Sequence, residues 1–246
     1  MKTRCALLRA LLLITVPLAS SYDLWAQRSP GVSQRDTRAA SQIVSVQDLK
    51  VPAAAQKEFE RARKLFLKNH KDAESIEALQ SAIRMAPSFL LAHYLLGSIY
   101  LENARWDDAE PELRSAISLN EKFGYAYLAL GSCLFKQGRF DEAEHALLLG
   151  NELSPNVPQG NYELARTYLA LGRNQEAEPF ARNSVALSDS FPDGHLVLGF
   201  VLLRLQKNQE AFDELQTFLR LAPNSPDSQQ AIDARNGLAR DLTAMH

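Results

Sequence analysis

Cysteine is almost absent from this chain: Cys5 and Cys133 are the only two in 246 residues. Cys5 falls in an N-terminal stretch that reads as removable, so no internal disulfide can brace what remains, and packing alone has to hold it. Cys5 also precedes the apolar run instead of ending it, which excludes a lipoprotein cysteine. Histidine is scarce as well. His70, His93, His145, His195 and His246 form no pair at a Cys/His metal spacing. Cys133 has no histidine near it in sequence and reads as a buried, inert thiol. GxSxG, the P-loop, HExxH and the glycine-rich dinucleotide turn are all missing. No catalytic residue, cofactor or metal is expected, and the chain does not read as an enzyme.

Excess charge is lacking too. The net charge is −2, from 27 basic and 29 acidic residues, so there is no basic field to attract nucleic acid. Long hydrophobic runs are missing: the apolar stretch Ala10 to Leu18 is too short to span a bilayer. It follows a basic start (Lys2, Arg4, Arg9) and precedes small residues (Ala19, Ser20, Ser21), the layout of a secretory signal peptide. Cleavage is expected after Ser21 or Ala26. We take residues 1–26 as the signal, whose loss removes three bases and one acid and leaves a net charge of −4. The expectation is an exported bacterial protein, periplasmic or secreted, with no membrane span after signal removal.

What is present is a globular composition, 46% hydrophobic and 23% charged. Residues 27–52 are rich in Ser, Gln and Arg, with Ser29-Pro30-Gly31 as a breaker, and read as a flexible tether. Its apolar end (Ile43, Val44, Val46, Leu49, Val51) suits either a place along the first helix pair or a partner in trans. From there a fixed period takes over. Gly97, Gly131, Ala165 and Gly199 are 34 residues apart, and Ala109, Ala143, Ala177 and Ala211 keep the same step, as do Leu96, Leu130, Leu164 and Leu198. A period of this size signals stacked helix–turn–helix units.

On these residues the chain resembles the tetratricopeptide repeat (TPR) family. The resemblance implies an all-α, right-handed α-solenoid of about five helix-turn-helix repeats over residues 53–225. A C-terminal capping helix and tail follow at 226–246, because a solenoid needs a polar lid over its last apolar face. The small residues mark helix crossings, Trp106 and Phe140 fill space beside the turn, and Asp107, Asp141 and Gln175 are expected to cap the second helices. Pro111 and Pro179 share one register position about a turn into those helices. His93 and His195 share another, where the family often has tryptophan, and read as packing substitutes.

The family binds other proteins and has no activity of its own. Carried over by register, its groove is lined here by Tyr94, Ser98 and Leu101, then Tyr125, Leu128 and Phe135. Tyr162, Arg166 and Leu169 follow, then Leu196, Phe200 and Leu203. Tyr94, Leu128 and Tyr162 stand where one family branch places the lysines of a carboxylate clamp, so that clamp is absent. An aromatic and aliphatic groove suits an apolar peptide or amphipathic helix of an envelope or secreted protein. Two other readings are a spacer or self-associating homo-oligomer, and packing of these residues against neighbouring repeats.

Overall fold

The computed structural model describes residues 51–66 and 72–244. The signal segment 1–26 and all but the last two residues of the tether lie outside the described residues, as does the turn Lys68-Asn69-His70-Lys71. The chain forms two compact units that meet in sequence at Asn103/Ala104. The first holds α1 (Ala53–Lys64), α2 (Asp72–Met85) and α3 (Leu90–Glu102). The second holds α4 (Trp106–Leu119), α5 (Gly124–Lys136), α6 (Phe140–Leu153), α7 (Pro158–Ala170), α8 (Asn174–Leu187), α9 (Pro192–Arg204), α10 (Asn208–Leu221) and α11 (Ser228–Ala244). The described residues contain helices and no strand, and successive helices pair in the manner of an α-solenoid.

The pairs α5/α6, α7/α8 and α9/α10 repeat one geometry because one turn joins each of them. Gly138, Gly172 and Gln206 take φ of 78°, 73° and 59°, the left-handed region where a residue can end a helix and reverse the chain. The N–H of Arg139 then donates to the carbonyl of Leu134, and that of Lys207 to the carbonyl of Leu202, both at 3.0 Å. Bonds of this kind satisfy the orphan carbonyls of the first helix. The next helix begins at once.

Where the two helices of a pair cross, the register small residue meets its partner without spare room. A Cβ built on Gly131 would lie 2.4 Å from Leu147 Cγ, and one on Gly199 would lie 2.8 Å from Leu215 Cδ2. In the pair between them the residue is Ala165, and the position opposite holds Ala181. Both alanines are fully buried. Volume is conserved across the contact: glycine faces leucine and alanine faces alanine.

Capping differs from the sequence expectation. Asp107, Asp141 and Gln175 sit one residue inside their helices, and the N-cap positions belong to Arg105, Arg139 and Arg173, with Lys207 as the fourth in register. None of these makes a side-chain capping bond. The residue that closes one helix and opens the next is a base, which has no acceptor to offer. Its side chain reaches back to the preceding pair: Arg139 to Glu110 at 2.7 Å, Arg173 to Glu144 at 2.6 Å, Lys207 to Glu178 at 2.7 Å. These glutamates keep the period, and the row stops where Phe212 takes the next place. Hydrogen bonds from Lys207 hold the Glu178 carboxyl below its usual range.

The outer end of the second unit is closed by α11, which packs on α10 through buried Ala231 and Leu238. Gln229, Gln230, Asp233 and Arg240 line the side of this helix away from those two residues, so the lid presents a polar outer face.

The two register histidines are packing residues with bonds. His93 Nε2 lies 3.0 Å from the Pro87 carbonyl. His195, 3% exposed, lies 2.8 Å through Nε2 from the Asp189 carbonyl and 2.6 Å through Nδ1 from Glu214 Oε2. Both ring nitrogens face acceptors, which favours the doubly protonated ring. The hydrogen bond to Glu214 raises the His195 pKa against the opposing effect of burial.

Both the crossing and the buried histidine can be tested by unfolding. Gly199→Ala forces a methyl into Leu215 and should cost about 1–3 kcal/mol, while Leu215→Ala alone should cost about 2–5 kcal/mol. The double variant recreates the Ala165/Ala181 contact, so urea unfolding should show it less destabilised than the sum of the two; strict additivity would contradict the crossing argument. For His195, a raised folded-state pKa means the native state holds the proton more tightly. Its contribution is complete below the ordinary value of 6.5 and is lost as pH rises through the higher folded value. The urea midpoint of His195→Gln should therefore fall less than that of the parent chain on going from mildly acidic to alkaline pH. Parallel pH profiles would rule this out.

Candidate functional site

The first helices of successive pairs, α5, α7 and α9, lie beside one another in the second unit. The groove residues expected from the sequence divide into two groups on this face. Tyr125 and Phe135 on α5, Arg166 and Leu169 on α7, and Leu196, Phe200 and Leu203 on α9 are half-buried and reach the surface. Phe135, Leu169 and Leu203 keep the 34-residue step, which places one apolar side chain per helix at equivalent positions.

Leu128 and Tyr162 behave differently. Leu128 is 6% exposed and enters a socket with a glycine on each side. A Cβ on Gly150 of α6 would come within 2.7 Å of Leu128 Cδ2, and one on Gly160 of α7 within 2.9 Å. Tyr162 is 8% exposed and meets Phe191 edge-on, with ring centroids 5.5 Å apart. These two side chains are packing between repeats. In the first unit, Tyr94, Ser98 and Leu101 are also buried, on a helix enclosed along its whole length from Ala92 to Leu101. The Ser98 hydroxyl donates back to the Tyr94 carbonyl at 2.8 Å.

A polar cluster interrupts the apolar face at its centre. Arg166 lays its guanidinium 4.2 Å above the Phe135 ring centroid and 5.2 Å from that of Tyr162, a cation–π arrangement. Its Nη1 donates to Glu163 Oε2 at 2.8 Å, and Gln159 Nε2 donates to the other carboxylate oxygen at 2.9 Å. The Glu163 side chain is only 6% exposed. A carboxylate taken out of water is tolerable only when so paired. Glu163 escaped notice in the sequence, although a signal existed: its register equivalents Leu95, Ala129 and Val197 are all apolar. The ion pair thus places the Arg166 guanidinium over the Phe135 ring.

The chemistry this arrangement offers is contact chemistry. Burial pushes the Cys133 thiol up to about 11, and its Sγ lies 3.3 Å from the Trp106 carbonyl, so it is neither a nucleophile nor a ready ligand. Among the described residues no group of three His, Cys, Asp or Glu side chains could hold a metal ion. No described helix is long and apolar enough to cross a membrane.

No curated protein sequence matches the chain. Solved structures with the same fold are numerous but distant. The Thermus thermophilus protein TTC0263, a thermophilic TPR protein, shares 18% identity with a TM-score of 0.59, covering 77% of this chain and all of its own. PilF of Pseudomonas aeruginosa shares 18% at a TM-score of 0.64, over 78% of this chain and 92% of its own. YrrB, described as a TPR protein with an unusual peptide-binding site, shares 17% at a TM-score of 0.57, over 78% of this chain and 97% of its own. None of these matches indicates an enzyme, and the helix-pair architecture is that of scaffolds for protein–protein interaction. The tetratricopeptide repeat family model matches residues 64–118, 94–158 and 162–226, and the chain belongs to that family.

Proposed function

We propose that the protein is a non-catalytic interaction scaffold whose α5/α7/α9 face holds an apolar segment, extended or helical, of another protein. One observation carries this reading. The half-exposed side chains Phe135, Leu169, Leu196, Phe200 and Leu203 form an apolar strip on a face where a solvated surface would be polar. The Arg166–Glu163 pair lies on the same face, with the guanidinium over the Phe135 ring of the strip. The peptide-binding site named for YrrB is consistent with such a use of the fold. Export to the periplasm or medium belongs to the same reading and rests on the basic start and apolar run of residues 1–26. The partner is accordingly a protein of the cell envelope or a secreted one.

The test uses Leu169→Glu with Leu203→Glu, two half-exposed positions where helical circular dichroism should be retained. A desolvated anchor contributes at least about 2 kcal/mol, or roughly thirtyfold in affinity each. The double variant should therefore lose its partner in affinity capture from an envelope extract. Undiminished capture would move the site off this face. A dimer of the parent chain in light scattering that the double variant abolishes would assign the strip to self-association instead.

A further inference from the structure

On the opposite side of α5 lies a second opening that the apolar strip does not use. It has a volume of about 590 Å³ and runs between α4 and α6, with Tyr127, Leu130 and Leu134 of α5 as its floor. That is within the range of about 300–1,000 Å³ that ligand sites occupy. Its origin is one small residue. Ala146 of α6 stands where α4, α8 and α10, the other second helices of this unit, carry Glu112, Phe180 and Glu214. In the next pair Phe180 reaches the first helix and stacks on Tyr168, with centroids 5.4 Å apart. In the pair after that, Glu214 reaches His195 at 2.6 Å. Ala146 ends at a methyl, and the opening above Leu130 and Leu134 stays shallow, with Tyr127 as its half-buried part.

The walls add chemistry of a definite kind. Leu149 of α6 lines the opening where its register equivalents are Ser115, Asn183 and Thr217. Leu148 beside it is 39% exposed, at the register position of Arg114, Arg182 and Gln216. The rim is charged. Arg114 is committed to Glu110 at 2.7 Å and Glu142 to Arg139 at 2.6 Å. Glu121 after α4 and Asp141 on α6 are exposed and have no ion-pair partner among the described residues. Two opposed walls thus each carry an uncommitted carboxylate above an apolar floor.

We propose that this opening is a second docking site, which receives large apolar side chains one turn apart on a basic amphipathic helix of a partner protein. The helix lies between α4 and α6, its apolar residues replace the side chain that Ala146 lacks, and its flanking lysines or arginines meet Glu121 and Asp141. A helix seated between two helices presents residues i and i+4 to such a floor, and opposite charges on the rim set its orientation.

The experiment measures fluorescence anisotropy of a labelled helical peptide of leucine and lysine, about five turns long, against the full chain, with a leucine/glutamate peptide as control. Ala146→Phe fills the opening with the residue that the next repeat already accommodates. It should raise the Kd for the leucine/lysine peptide at least tenfold with circular dichroism unchanged. Leu149→Asp, at a half-exposed position, should do the same and decides the matter should Ala146→Phe misfold. Glu121→Lys with Asp141→Lys should weaken binding similarly, and Leu169→Glu with Leu203→Glu should leave it intact. Equal binding of the two peptides, retention of binding by Leu149→Asp or by a folded Ala146→Phe, or loss of binding in the Leu169/Leu203 variant each overturns the proposal. So does failure of the leucine/lysine peptide to bind the parent chain.

Discussion

The closeness of two helix axes within each pair is the constraint on which the second unit depends. A methyl group more or less at the crossing decides whether the helices can touch. The chain meets the requirement in two ways, glycine against leucine at Gly131/Leu147 and Gly199/Leu215, and alanine against alanine at Ala165/Ala181. The short left-handed turn serves the same end. With Gly138, Gly172 or Gln206 reversing the chain within a short turn, the second helix cannot begin anywhere except against the first. Everything exposed on the unit, including the apolar strip on α5, α7 and α9, takes its position from this contact.

Much of the architecture was legible in the sequence because it recurs. The Gly, Ala and Leu periods predicted the pairs, and the polar side of the segment within 226–246 predicted the lid. The failures came where one repeat departs from the rest or where a contact is made far along the chain. Leu128 looked like a groove residue because its register position is one. It is buried because Gly150 and Gly160, on two other helices, leave room for it. The capping residues were misread for a related reason. An acid near a helix start suggests a cap, but the N-cap position is held by a base and the acid falls in the first turn, where the helix dipole still favours it.

The features most informative about function are single departures from the repeat. Glu163 occupies an apolar row, and Leu148 and Leu149 occupy two polar ones. Each reads as noise against the period until its neighbours in space are known. In a repeat protein the consensus describes the scaffold, and the deviations describe its use.

The side chains of Arg139, Arg173 and Lys207 have a consequence of a different kind. The crossings inside a helix pair are apolar, whereas the bonds these bases make to Glu110, Glu144 and Glu178 reach from one pair to the next. They are partly open to solvent, so dissolved ions weaken them more than they weaken buried apolar contacts. Ionic strength therefore acts on these joints more than on the apolar crossings. Salt weakens the charged contacts at each joint, while the buried packing of Leu128 and Tyr162 between repeats stays.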